Sequence, residues 1–294
     1  MKFGLYPGCS LNGSAREYNE SLRALAQTIG IDLIEVPDWN CCGATAAHNL
    51  NQDLALALQT RILAAAESAG IDELVVPCAA CYSRLFVTNH ELGENPALKE
   101  KASRLVDDAY QGKVRVINIL ELLDRIPDDQ WHTHTQSPFS HKVACYYGCL
   151  LVRPHKILRF DHPEDPQSMD RIMTRIGATP IDWAFKVECC GAGFSVSRTS
   201  TVARLSGQII ADAVDRGAEA IIVACPMCHS NLDMRREKIE AFMNQSYDIP
   251  IIYITQAVGM AMGIPGDQLG LHRHKVPVRF AETGTPASTR HTEN

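Results

Sequence analysis

The 294-residue sequence predicts an α/β fold of two similar, duplicated units, each a mainly parallel sheet flanked by helices. Three observations predict it. The first is a repeated cysteine order: one cysteine, an adjacent pair, then C-x-x-C. Cys9, Cys41, Cys42, Cys78 and Cys81 are followed by Cys149, Cys189, Cys190, Cys225 and Cys228, at offsets of 140, 148, 148, 147 and 147 residues. The second is the agreement of local context, with LYPGCSL matching CYYGCLL, NCCGA matching ECCGAG, and VVPCAACYS matching IVACPMCHS. A period of about 145 residues is a domain duplication, far longer than a solenoid repeat. The third is an alternation of short β-rich runs with helix-forming stretches, the pattern of parallel sheets.

Taken in order, KFGLYPG and KVACYYG are short apolar segments that reach a glycine just before a cysteine, as a strand entering a loop would. QDLALALQTRILAAAESAG has helix-forming composition and closes at Gly70, a C-terminal stop. DELVVPC and AEAIIVAC are strands that end at the C-x-x-C, and NLDMRREKIEAFMN is a helix beyond the second of them. The units are expected at 1–126 and 142–271, joined by the polar linker 127–141, which contains the His132–His134 pair and is read as solvated. HPEDPQSMD (162–170) reads as a loop, and 272–294 as a polar tail whose last dozen residues are disordered. In such a fold the cysteines converge at strand ends and helix starts, at one edge of each sheet. Helix N-termini there would favour an anionic, thiolate-bound group.

The bulk properties narrow the function. A formal net charge of -6 counts against nucleic-acid binding. No stretch approaches the ~20 consecutive apolar residues of a membrane-spanning helix, so no membrane insertion is expected. The N-terminus lacks the apolar run of a signal peptide, which points to a cytoplasmic protein. In a reducing compartment, eleven cysteines indicate metal or redox chemistry before structural disulfides. Three occupants compete. Zinc needs four ligands and no redox chemistry, but each unit offers five cysteines, and an adjacent pair fits poorly into one tetrahedron. A cubane [4Fe–4S] cluster uses four cysteines, commonly in a compact C-x₂-C-x₂-C run that is absent here. An iron–sulfur cluster with more thiolate contacts would give Cys41 and Cys42 separate places.

The pattern C-xₙ-C-C-G-xₙ-C-x-x-C, present twice, resembles the cysteine-rich CCG domain in the arrangement of the heterodisulfide reductase B-type subunit family. The resemblance runs from YPGCS to about residue 260, and includes the bacterial sulfur-oxidising branch. It implies two noncubane [4Fe–4S] clusters flanking a cleft where a disulfide is split. The first would be held by Cys9, Cys41, Cys42, Cys78 and Cys81, the second by Cys149, Cys189, Cys190, Cys225 and Cys228. It further implies a ferredoxin-like iron–sulfur subunit and a flavoprotein subunit as partners, since this chain has neither a ferredoxin motif nor a G-x-G-x-x-G fingerprint. The substrate would be a thiol or disulfide, or sulfur on a lipoyl-bearing carrier protein. A non-catalytic electron-transfer subunit of a lactate-, glycolate- or succinate-type dehydrogenase is the alternative, and a zinc scaffold a further one.

Other residues carry weaker signals. His229 and His155 are candidate proton donors, with a hydrogen-bonded or surface histidine as the competing reading. Gly43, Gly191 and Gly193 are expected to relieve crowding around a cluster. Arg16, Arg84 and Arg153 are candidates for steering an anionic substrate. Leu150 stands where the resemblance leads one to expect histidine. Cys145 has no partner in the first unit and reads as a buried, inert thiol.

Overall fold

The computed structural model describes residues 1–44, 46–106 and 109–280. It contains two four-stranded, all-parallel sheets of identical order. The first uses β1 (Lys2–Leu5), β2 (Asp32–Glu35), β3 (Glu73–Val75) and β4 (Arg115–Ile117), arranged β2-β1-β3-β4. The second uses β5 (Lys142–Tyr146), β6 (Thr179–Pro180), β7 (Ala220–Val223) and β8 (Ile251–Tyr253), arranged β6-β5-β7-β8. Helices flank both sheets, as the sequence predicts, and the buried apolar side chains form one continuous core through the two halves. β7, read as AIIV, is buried at every position, the signature of a strand covered on both faces.

In each sheet the strand order reverses at the first strand, which has the second on one side and the third on the other. That topological switch point opens a crevice beyond the carboxyl ends of the strands, where α/β sheets place their sites. Three loops leave there in each half, after β1, β2 and β3 or after β5, β6 and β7. All ten repeated cysteines lie on these six loops or the helix starts that follow them.

Helix boundaries follow side-chain chemistry. The helix Gln52–Ser68 starts where Asn51 Oδ1 accepts from the Asp53 and Leu54 amides at 2.9 and 3.0 Å, and stops at Gly70. Asn118 and Glu121 form a capping box that starts Ile119–Asp124. Across the halves, Arg16–Thr28 packs on Ile254–Ala261, and Ile119–Asp124 packs on Ser168–Arg175. Ser21 Oγ lies 2.7 Å from Thr255 Oγ1, a buried hydrogen bond between the halves.

Four expectations change in detail. The segment 127–141 is not featureless: Asp128–His134 is a helix, Trp131 is buried with its indole N–H on the Ile126 carbonyl, and the amides of Gln136 and Ser137 donate to Ala261. Of the histidine pair read as solvated, His132 is exposed and His134 is half-buried. The loop read at 162–170 ends earlier, because Asp161 accepts from the Gln167 and Ser168 amides and starts the helix Ser168–Arg175. The helix read at NLDMRREKIEAFMN is interrupted by a π-helical turn, Ser230–Met234, before Arg236–Met243. The polar tail is anchored at its start: His274 is buried, and the Lys275 and Val276 amides donate to the buried Asp233 carboxylate. Residues 281–294, which hold the expected disordered stretch, lie outside the described residues.

Candidate functional site

Each loop delivers its cysteines for a local reason. Cys9 follows Gly8, whose φ of +62° lets the chain turn from β1 straight into a short helix. Cys41 and Cys42 lie in the loop after β2 and reach different neighbours, Cys41 toward Cys9 and Cys42 toward Cys81. Cys78 is the N-cap of Ala79–Glu94, and Cys81 lies in that helix's first turn. The second half repeats this, with Cys149 after Gly148 (φ +66°), Cys189 and Cys190 in a loop, Cys225 as N-cap, and Cys228 in the turn that follows.

The sulfurs converge. Cys42 Sγ is 3.1 Å from Cys81 Sγ, and Cys41 Sγ is 3.9 Å from Cys9 Sγ. Cys41 and Cys42 also interact with each other, as do Cys78 and Cys81. In the second set Cys190 Sγ is 3.7 Å from Cys228 Sγ, Cys149 interacts with Cys189, and Cys225 with Cys228. None is a disulfide, and these separations are well beyond the ~2.05 Å of an S–S bond. Both sets have a buried floor (Cys42, Cys78, Cys81; Cys190, Cys225, Cys228). Both also have a mouth toward solvent, where Cys9, Cys41 and Cys189 are exposed and Cys149 is half-buried.

Thiols this close cannot ionise independently. Hydrogen bonding with Cys41 and then Cys81 holds the Cys42 pKa down at about 3, while Cys41 and Cys81 are pushed up in return. Cys149 pulls Cys189 down to about 6, and Cys225 is held well below its ordinary value by Cys228 and then Cys78. Their partners Cys149 and Cys228 are pushed up in return, so each close pairing holds one low and one raised thiol, and a cationic metal centre would be needed to keep both as thiolates.

The surroundings fit a bulky thiolate-bound group. A Cβ placed on Gly148 would lie 2.9 Å from Cys228 Sγ, so glycine there leaves the sulfur clear, whereas one on Gly8 would meet the Tyr6 ring first, at 3.2 Å, with Cys81 Sγ at 3.4 Å. The Gly43 and Gly191 amides donate to Cys41 Sγ and Cys189 Sγ at 3.4 and 3.3 Å. These two glycines do have positive φ, +74° and +81°, but the crowding they relieve is against Ala47 and Val202. Gly193 differs from these two in lacking positive φ. It sits in a 3₁₀ turn with no protein atom within 4 Å of where a Cβ would stand.

Two tyrosines brace the adjacent-cysteine loops. Tyr6 Oη donates to the Asn40 carbonyl at 2.8 Å, and Tyr146 Oη to Glu188 at 2.6 Å, each the residue before a Cys-Cys pair. Gln59 Nε2 and Ser206 Oγ, 147 residues apart, donate to the Cys42 and Cys190 carbonyls, both at 3.2 Å. Asn231 Nδ2 adds a contact on the Cys190 carbonyl at 3.1 Å. Sequence reasoning missed these residues. The tyrosines and Gly8/Gly148 were visible as identities in the aligned YPGC and YYGC, whereas Gln59 and Ser206 share no residue type to betray their shared role.

The remaining candidates sit as follows. His229 is buried, stacks on Tyr253 at 4.4 Å between centroids, and faces His274, with Nε2 and Nδ1 3.0 Å apart. Burial pushes its pKa well down. Together with Asp233 these two histidines form a close buried group of metal-ligating type, yet hydrogen bonds account for it without an ion. Gln256 Oε1 accepts from the Tyr253 amide while its Nε2 donates to the Leu269 carbonyl and meets His274 Nε2. His274 Nε2 also lies 3.1 Å from Gln256 Oε1, so both polar atoms of that amide meet this ring nitrogen. Arg153 is paired with Glu164 through two contacts of 3.0 Å, Arg16 and His155 are exposed, and Leu150 is half-buried. Arg84 lines a cavity with His48, Gln59 and Lys101. Cys145 lies on β5, fully buried, its thiol raised by burial and by Asp170, apart from both sets.

With this geometry in view, the comparisons decide the family. The CCG cysteine-rich domain matches residues 3–86 and again 143–233, one match per cysteine set. The chain belongs to the CCG family. This tandem CCG protein is 29% identical to the 8-methylmenaquinol:fumarate reductase membrane anchor subunit of Wolinella succinogenes, over 94% of this chain and 97% of that one. It is 27% identical to the B-type subunit of the ferredoxin/F420H2-dependent CoB-CoM heterodisulfide reductase of Methanosarcina acetivorans, over 94% of each. The resemblance to that heterodisulfide reductase subunit thus extends over nearly the whole chain. A crystal structure of a hypothetical protein from Helicobacter pylori superposes with a TM-score of 0.79 at 15% identity, over 95% of this chain and 53% of that one, a likeness of fold. Among the described residues, no helix of the CCG protein is long and apolar enough to cross a membrane.

Proposed function

We propose that this tandem CCG protein is the iron–sulfur subunit of a heterodisulfide-reductase-like complex, reducing a disulfide or, in reverse, oxidising thiol- or lipoyl-bound sulfur. Each five-cysteine set would hold one [4Fe–4S] cluster of the noncubane kind, with Cys9, Cys41, Cys42, Cys78 and Cys81 on the first and Cys149, Cys189, Cys190, Cys225 and Cys228 on the second. The observation that carries this reading is the side-by-side placement of two complete sets, joined at the buried Cys78 and Cys225. Splitting an S–S bond to two thiols takes two electrons and two protons. An iron–sulfur cluster, when bound, supplies one-electron chemistry, so a pair matches the demand. The chain's own contribution is positional: tyrosine-braced loops hold the adjacent cysteines, Gly148 keeps the Cys228 sulfur clear, and the mouths at Cys9/Cys41 and Cys149/Cys189 stay open to a sulfur compound. A fifth cysteine in each set counts against zinc. Electrons would come from a ferredoxin-like and a flavoprotein subunit, in the cytoplasm.

A second reading is a non-catalytic electron-transfer subunit of another oxidoreductase, favoured by the similarity to a fumarate reductase subunit. Anaerobic purification with iron and sulfide analysis tests both at once, with about eight irons per chain expected. Zinc without acid-labile sulfide would overturn them. A paramagnetic signal that changes with the thiol added after oxidation supports the sulfur-handling role, and one spectrum for every thiol supports the carrier.

A further inference from the structure

The two halves meet at the C-x-x-C segments, and one side chain touches both. Tyr18 Oη lies 3.3 Å from the Pro77 carbonyl and 3.5 Å from the Ala224 carbonyl, and so shares its single proton between them. Pro77 and Ala224 are the residues immediately before Cys78 and Cys225. The hydroxyl therefore bridges the last peptide before each C-x-x-C, one from each half. Tyr18 is fully buried and its ring is stacked on Tyr253, with centroids 4.1 Å apart and planes 9° from parallel. One turn on, Ser21 Oγ donates to the Tyr18 carbonyl or to Thr255, fixing the same helix to the second half. Beside this bridge the Cys78 and Cys225 thiols interact directly.

We infer that Tyr18 is the positioning residue that sets the separation of the two cysteine sets. Two buried carbonyl oxygens carry like partial charge, and without a donor between them each would be left unsatisfied and would repel the other. The O–H converts that repulsion into a shared hydrogen bond and draws the two loops to one point. The duplication does not supply this contact twice. Counted back from the matched helix ends, where Gly30 and Gly177 bond alike, the position of Tyr18 falls at Asp165, before the helix Ser168–Arg175 begins, and Asp165 pairs instead with Lys186 at 2.9 Å. The bridge is a single departure from the repeat, placed where the two sets adjoin.

The inference rests on the proposed two-cluster reading, and the experiment separates the two. Full-length wild-type protein, Y18F and S21A are purified anaerobically, iron and sulfide are counted, and the distance between paramagnetic centres is read by dipolar electron paramagnetic resonance. Y18F keeps the stacked ring and removes only the hydroxyl. It should retain wild-type iron and sulfide yet show a longer or broader intercentre distance, with disulfide turnover lower by about tenfold and one-electron reduction by a viologen unchanged. S21A, which loosens the same helix without touching either carbonyl, should match wild type. An unchanged distance in Y18F, or an equal change in S21A, overturns the role of Tyr18 and leaves the proposed function standing. Wild-type protein with two clusters and no mutual coupling overturns it equally. Wild-type protein without iron overturns both.

Discussion

Gly148 and Cys228 approach so closely that a Cβ on Gly148 would lie 2.9 Å from the cysteine sulfur, inside any ordinary contact. Gly148 also has φ +66°, where a side chain adds strain. The variant G148A should therefore lose the second cluster and about half of the bound iron, while G8A, with 3.4 Å to Cys81, loses less. Iron and sulfide per chain measure this, and full iron in G148A would refute the idea that glycine keeps the sulfur clear.

Tyr146 Oη is buried and donates to Glu188 at 2.6 Å, in front of the Cys189–Cys190 pair. In Y146F that carbonyl loses its donor, at a cost of about 1–3 kcal/mol. The expected result is a lower unfolding midpoint and faster loss of iron from the second set in air. Y6F should do the same at the first set. A double variant additive in stability would show that the two braces act separately.

Burial holds the His274 pKa below its ordinary value, with the nearby Asp233 opposing only in part. The unfolded chain then takes up a proton that the folded one resists, so below pH ~6.5 this residue costs stability as pH falls. Above that pH both states are neutral and the contribution is constant. Unfolding midpoints should rise from pH 5 to 7 in wild type and rise less in H274N. Parallel profiles would exclude His274 as a source of the slope.

Cys145 lies under Trp183, whose indole N–H donates to its carbonyl at 3.2 Å, and its thiol meets Asp170. C145A should keep full iron and turnover and lose only packing, about 1 kcal/mol. Loss of one cluster in C145A would instead make it a ligand.

The fold was legible because the duplication was written in the cysteines and their neighbours, and because strands such as AIIV end at them. The sets themselves could be grouped by offset alone. Less was legible where one residue serves a distant partner. His274 looked like the beginning of a polar tail, but it is buried because Gln256 and His229 bond both ring nitrogens. Gly193 looked like its neighbour Gly191, but only Gly191 adopts positive φ.

By itself, the sequence determined the two α/β units, the five-cysteine pattern in each, and the membership that pattern implies, because these depend on local residue order and a constant offset. Only the tertiary structure decided how the halves face one another. Cys78 meets Cys225, and Tyr18 reaches two carbonyls 59 and 206 residues away, because packing of Arg16–Thr28 on Ile254–Ala261 closes that distance. A contact between residues so far apart leaves no period in the chain, and its energy exists only after the core has formed.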